Sequence, residues 1–116
     1  MFKTIEDMSW AVAKAASDKK ARDIVRLTMK DVSSATDYFV ICSANTPLQA
    51  RAIADHIEDE MTEAGLAFLH KEGYREGEWI LLDYGDCVAH IFTQDSREFY
   101  QLETLWSKAE LQTYEE

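Results

Sequence analysis

The sequence is poor in the residues that interrupt regular structure, with one proline (Pro47) and four glycines among 116 residues. That scarcity excludes a flexible linker or a low-complexity segment, because both need runs of such residues. Cysteine is nearly absent too. Cys42 and Cys87 each lie inside an apolar run, "YFVICSA" and "DCVAHIF", which reads as two buried free thiols in a reducing compartment rather than a disulfide. No stretch approaches the roughly 20 apolar residues that a membrane span requires. The start, "MFKTIEDMSW", has no basic flank before an apolar core and carries acids that transit peptides avoid. A cytoplasmic location is therefore expected. Positive charge is also in deficit, with 12 basic against 22 acidic residues and a net charge of −10. Such a surface repels phosphate backbones, which leaves little direct nucleic-acid binding to expect. It suits a basic protein partner.

What is present reads as one domain. A chain of this length can bury roughly 65% of its unfolded surface, and 47% of its residues are hydrophobic. Thr4 followed by Asp7 makes a cap-like helix start, and Ile5, Met8, Val12 and Ala15 form one apolar stripe behind it. Trp10 lies off that stripe, where it covers a neighbouring element or faces a partner. "DIVRLTM" and "DYFVICSA" predict two strands in a hairpin. "NTPLQ" opens the clearest helix, with Thr46 as cap, Pro47 at the first helical position and Gln49 as capping-box partner. Its stripe is Ile53, Ile57, Met61 and Ala64, and Gly65 ends it. "LAFLHKEG", "EWILLDY" and "CVAHIFT" predict three more strands, and "DSREFYQLETLW" a final helix with Phe99, Leu102, Leu105 and Trp106 along one side. Residues 107–116, "SKAELQTYEE", read as a frayed polar tail, which places the domain at 1–106. The expected class is α/β (α+β), a mixed sheet flanked by helices in the order αββαβββα.

The stretch "GEWILLDYGDCVAHIF" crowds two aspartates, a histidine and a cysteine into an apolar run. A two-residue turn centred on Tyr84 and Gly85 would pair Asp83 with Asp86, Leu81 with Val88 and Trp79 with His90. Alternation then puts Trp79, Leu81, Asp83, Asp86, Val88, His90 and Phe92 on one face, and Ile80, Leu82, Cys87, Ala89 and Ile91 on the other. A metal shared by Asp86 and His90 fails on distance, because four residues of strand span roughly 13 Å. No metal and no cofactor are expected. Cys87 and His90 point to opposite sides, so they form no thiol–imidazole pair. Asp83 and Asp86 could form a carboxylate pair, but aspartate is also the ordinary shoulder of a turn, and the pair reads as that first. "CSANTPLQ" offers no glycine loop for phosphate. The Trp79 face is left as either a docking surface or a layer packed beneath a helix.

Two quoted blocks carry a resemblance. "DIVRL…SSATDYFVICSANTPLQARAIADHIEDEM…AG", followed by "EGYREGEWILLDYGDCVAHIF…SREFYQLETLW", resembles the ribosomal silencing factor family, also called the Iojap or RsfS family, from Asp23 to Trp106. The sequence departs from the family pattern at "CSANTP", where many members have a glycine-containing turn, and at Cys87, where many have an aliphatic residue. The resemblance implies a fold similar to the nucleotidyltransferases without their catalytic residues, and hence no enzyme. It implies binding to protein L-fourteen of the large ribosomal subunit, a block to joining of the small subunit, and repression of translation when nutrients are scarce. Organellar relatives act in large-subunit biogenesis, and the missing transit peptide favours a bacterial member. The docking residues so implied are Trp79, Leu81, Asp83, Tyr84, Asp86 and His90, with Arg97 and Tyr100 in second rank. From another class, Asp83 and Asp86 on a divalent metal would suit nucleotide binding or residual nucleotidyltransfer. A homodimer of the free protein through the same face is the third arrangement.

Overall fold

Residues 2–115 are described in a computed structural model. Their order is α1 (Ile5–Asp18), β1 (Arg22–Thr28), β2 (Tyr38–Ala44), α2 (Pro47–Glu63), β3 (His70–Glu72), β4 (Trp79–Asp83), β5 (Cys87–Thr93), α3 (Gln94–Tyr100), α4 (Leu102–Leu105) and β6 (Glu110–Thr113). One six-stranded sheet runs β3-β4-β5-β2-β1-β6. All neighbours are antiparallel except β2 and β5, whose parallel pairing is made by the crossover through α2, β3 and β4. The class is the α+β mixed sheet that the hydrophobic pattern predicts, and β1 and β2 form the expected hairpin.

The two long helices start where their caps stand. Thr4 Oγ1 accepts from Asp7 N at 3.0 Å, and Thr46 Oγ1 accepts from Gln49 N at 3.0 Å. Gln49 Oε1 reaches back to Asn45 N at 2.6 Å, one residue before the cap. Both helices lie on the same side of the sheet. Val12, Ala16, Ile53, Ile57 and Met61 pack there against Val40, Cys42, Ile80, Leu82 and Ile91, forming the larger core. Each fully buried aliphatic side chain of this layer contributes roughly 1.5–3 kcal/mol.

Trp10 covers a neighbouring element. Its ring lies 4.0 Å from the guanidinium carbon of Arg26, which Tyr38 flanks on the other side at 4.4 Å. Arg26 is only 2% exposed, and it donates to Ser9 Oγ and to Gln112 Oε1, with Glu6 at 3.6 Å. A buried cation is tolerable here because aromatic faces and acceptors surround it.

Two expectations at the C-terminus are corrected. The described part of 107–116 is not frayed: Glu110–Thr113 form β6 and pair with β1, placing Leu111 opposite Leu27 and Gln112 opposite Arg26. Pairing is a backbone property, so a polar sequence does not forbid an edge strand. Glu116 lies outside the described residues. The closing helix is likewise two short ones, broken at Gln101, whose φ of +47° is left-handed. Of the expected stripe only Leu102 is fully buried and Trp106 is half-buried, while Phe99 is 80% and Leu105 69% exposed. The order therefore gains a second short helix and a final strand.

Candidate docking face

The second face of the sheet has much thinner cover. Val25, Leu27, Met29, Ile41, Phe92, Leu102 and Ala109 form a small core beneath α3, α4 and the following turn. Toward β4 this cover stops, and Trp79, Leu81 and Asp83 are half-buried along one strand.

The β4–β5 turn differs from its expected register. Tyr84 N donates to Cys87 O at 2.9 Å, so Gly85 and Asp86, not Tyr84 and Gly85, are the central pair. Asp83 is opposite Val88, Leu81 opposite His90, and Trp79 opposite Phe92. Every partner is thus shifted by two residues. A shift of two preserves side-chain parity, so Trp79, Leu81, Asp83, Val88, His90 and Phe92 share the face as predicted. Asp86 does not. It sits exposed at the turn, where its carbonyl accepts from Asp37 N at 3.1 Å and Tyr38 N at 3.2 Å. Asp83 Oδ1 accepts from Gly85 N at 2.7 Å, the Asx arrangement of a turn shoulder. Gly85 takes a φ of +88°, which the pairing demands and a larger residue would resist.

Aromatic rings form a continuous ridge on this face. Tyr100 from α3 lies 4.6 Å from Trp79, and Trp79 stacks on Phe92 at 4.9 Å. Trp79 Nε1 donates to His90 Nδ1 at 3.1 Å. His90 meets Phe39 edge-on at 4.5 Å, and Phe39 meets Trp106 at 6.2 Å. Since Nδ1 accepts, the neutral imidazole carries its proton on Nε2, which is buried and has no partner. Burial pushes the His90 pKa down to about 3, so the ring is neutral near pH 7. Gly73, in the turn before β4, allows this strand to approach closely: a Cβ there would lie 1.9 Å from Trp79 O.

The remaining candidates are placed elsewhere. Tyr84 is half-buried against the α1–α2 core, on the opposite side from Trp79, and burial raises its pKa, with Glu58 adding to the rise. Arg97 is committed within the chain. Its Nη1 donates to Asp23 O at 2.6 Å and Ser43 Oγ at 2.9 Å, while Nε and Nη2 both reach Glu103 Oε2, at 3.1 and 2.8 Å. Tyr100 is 47% exposed at the end of the ridge. Phe39 is a further ridge residue, and strand alternation with Tyr38 is the signal in the sequence that places it on this side. Phe99 and Leu105, expected along the apolar stripe of one closing helix, are instead exposed where that helix breaks at Gln101.

Other chemistry finds little support. Cys42 and Cys87 are buried, and burial pushes both thiols up to about 12, far from the thiolate a nucleophile needs. Asp83 and Asp86 are occupied as turn residues. His56 Nε2 lies 3.1 Å from Asp18 Oδ2, with Glu60 one helical turn away, and these three side chains come within 4.8 Å of one another. The bond from His56 is the first cause holding the Asp18 carboxyl below its ordinary pKa, and Lys14 adds to it. No helix among the described residues is long and apolar enough to cross a membrane.

Comparison with known proteins gives a consistent result. Residues 3–116 match the family model described as "Ribosomal silencing factor during starvation". A ribosomal silencing factor RsfS of Bacillus subtilis is 44% identical over 99 residues, which covers 85% of this chain and 84% of that protein. A crystal structure from Chromobacterium violaceum superposes with a TM-score of 0.88 at 30% identity, covering 90% of this chain and 87% of the other. One from Bacillus halodurans gives 0.77 at 39% identity, covering 92% and 96%.

Proposed function

The chain belongs to the ribosomal silencing factor family, and from that premise we propose that it docks on protein L-fourteen of the large ribosomal subunit and blocks joining of the small subunit. Translation is thereby repressed when nutrients are scarce. The action is steric, without a catalytic step or cofactor, and takes place in the cytoplasm. Trp79 is the central anchor, with Leu81, Asp83, Tyr100 and the covered ring of His90 around it and Asp86 beside the face at the β4–β5 turn, while Tyr84 packs behind that turn on the other side of the sheet. Arg97 acts indirectly, by holding α3 in position.

The observation that carries this reading is the state of Trp79. It is half-buried and held by Tyr100, Phe92 and His90 at once. A large aromatic side chain fixed in one orientation, yet still open on one side, can bind with little further loss of freedom. Such residues are the usual hot spots of protein interfaces. The bound mass measures 33 × 33 × 28 Å. Exposed Phe99 favours a second arrangement off the ribosome, in which two free copies cover this face on each other.

The test is co-sedimentation with purified large subunits, wild type beside Trp79→Ala, with circular dichroism on both. Binding by the wild type and loss in a folded variant is expected. Equal binding by both would move the interface off this face. Light scattering of the same pair tests the dimer, and an unaltered dimer in Trp79→Ala would exclude this face from it.

A further inference from the structure

Beside the aromatic ridge, α3 closes over a recess of about 380 Å³ lined by Asp23, Ser43, Gln94, Arg97, Glu98 and Glu103. Ser43 is the ladder neighbour of Phe92, and Phe92 of Trp79. Recess and ridge therefore occupy consecutive strands at one level of the sheet, about 4.8 Å apart per strand. The same helix supplies Arg97 to one and Tyr100 to the other.

The recess has an unbalanced chemistry. It is lined by three acidic residues, Asp23, Glu98 and Glu103, against one guanidinium, each of whose nitrogens already donates within the chain, to Asp23 O, Ser43 Oγ or Glu103. Two side-chain oxygens on its wall, Glu103 Oε1 and Gln94 Oε1, are buried and accept no hydrogen bond. Gln94 turns its amide nitrogen toward Glu98 Oε2 at 2.7 Å instead. The surplus of acidic residues at the recess calls for a cation rich in N–H groups. Phe99 and Tyr100 stand beside Glu98 on α3, both exposed, at 80% and 47%. Apolar surface next to acids accommodates a long basic side chain, whose stem lies on the rings while its head reaches the exposed Glu98. The chain already treats its own Arg26 in this way, between Trp10 and Tyr38 with Glu6 nearby.

We propose that this recess receives a lysine or arginine side chain of the protein on which the aromatic face docks. The inference rests on the docking reading above and adds the chemistry of a second contact, a charged one beside the aromatic anchor.

The experiment measures affinity for purified large subunits at two salt concentrations, for wild type, Glu98→Gln, Glu98→Lys and Glu63→Lys. Glu98 and Glu63 are both exposed helical residues, on α3 and α2, so all variants should fold, and circular dichroism checks it. Glu98→Lys is expected to weaken binding about tenfold or more, the effect of one close charge pair at an interface. Glu98→Gln should weaken it less and flatten the salt dependence. Glu63→Lys makes the same charge change away from the recess and should bind as wild type does. Unchanged binding of Glu98→Lys, or an equal loss in Glu63→Lys, overturns the recess while leaving the docking face standing. No binding by the wild type overturns both.

Discussion

Trp79 Nε1 donates to Nδ1 of His90 although the two residues are not ladder partners: Trp79 stands opposite Phe92, and His90 opposite Leu81. The bond runs diagonally across the hairpin, so it links two rungs and fixes both rings at once. The Trp79 ring, the proposed anchor, is thus held in one orientation by the fold itself.

Trp79→Phe separates these roles. Phenylalanine keeps the stack on Phe92 but leaves His90 Nδ1 as a buried acceptor without a donor. The expected loss of stability is about 1–3 kcal/mol, read by chemical denaturation. Affinity for large subunits should fall less than in Trp79→Ala, where truncation of an anchor costs about 2 kcal/mol or more. Equal stability of wild type and Trp79→Phe would show that the diagonal bond contributes nothing.

His90 predicts a pH dependence with a definite sign. Its folded pKa, near 3, lies below its ordinary value of 6.5, so the unfolded chain takes up the proton first as pH falls. Stability from the neutral buried ring is complete above about pH 6.5 and declines toward pH 3. The slope in this window approaches about 1.4 kcal/mol per pH unit. Denaturation at pH 7 and pH 5 should show a larger drop for wild type than for His90→Gln. Parallel drops would mean that the buried ring does not set the slope. Near pH 7 the ring stays neutral, so binding should show no step attributable to His90.

Arg97 is expected to act through the fold. Arg97→Met frees Asp23 O and Ser43 Oγ and leaves the Glu103 carboxylate without its cation, at a cost of about 3 kcal/mol. Arg97→Met with Glu103→Gln should recover part of that loss in thermal unfolding. If the single variant is as stable as wild type and yet fails to bind large subunits, Arg97 belongs to the interface itself.

Removal of residues 107–116 uncovers the edge of β1 and takes the Gln112 acceptor from buried Arg26. We expect a stability loss of about 2 kcal/mol or more and concentration-dependent aggregation through the bared edge. Thermal melting and light scattering of the shortened chain read both. Unchanged melting would return this segment to the status of a tail.

Much of the fold was legible in local pattern. The caps at Thr4 and Thr46, the stripes Met8–Val12–Ala15 and Ile53–Ile57–Met61, and the two faces of the β4–β5 hairpin each depend on spacing along a single element. Even the misplaced turn left the Trp79 face intact except for Asp86, because a shift of two residues leaves every side chain within the strands on its side of the sheet. Family membership was legible in the runs around "WILLDYGDCVAHIF" for a related reason, since they keep residue types in a fixed order.

Tertiary structure decided the rest. Asp86 left the face because backbone pairing at Tyr84 and Cys87, not the presence of Gly85, set the turn. The last helix broke at Gln101, next to an Arg97 held by Asp23 and Ser43, residues more than fifty positions away. The tail became a strand because β1 offered an open edge and Arg26 a donor for Gln112. Alternation and helical period are properties of the neighbouring backbone, so the sequence alone determined which side chains share a face. Where an element ends, and what covers it, depends on groups that only folding brings together.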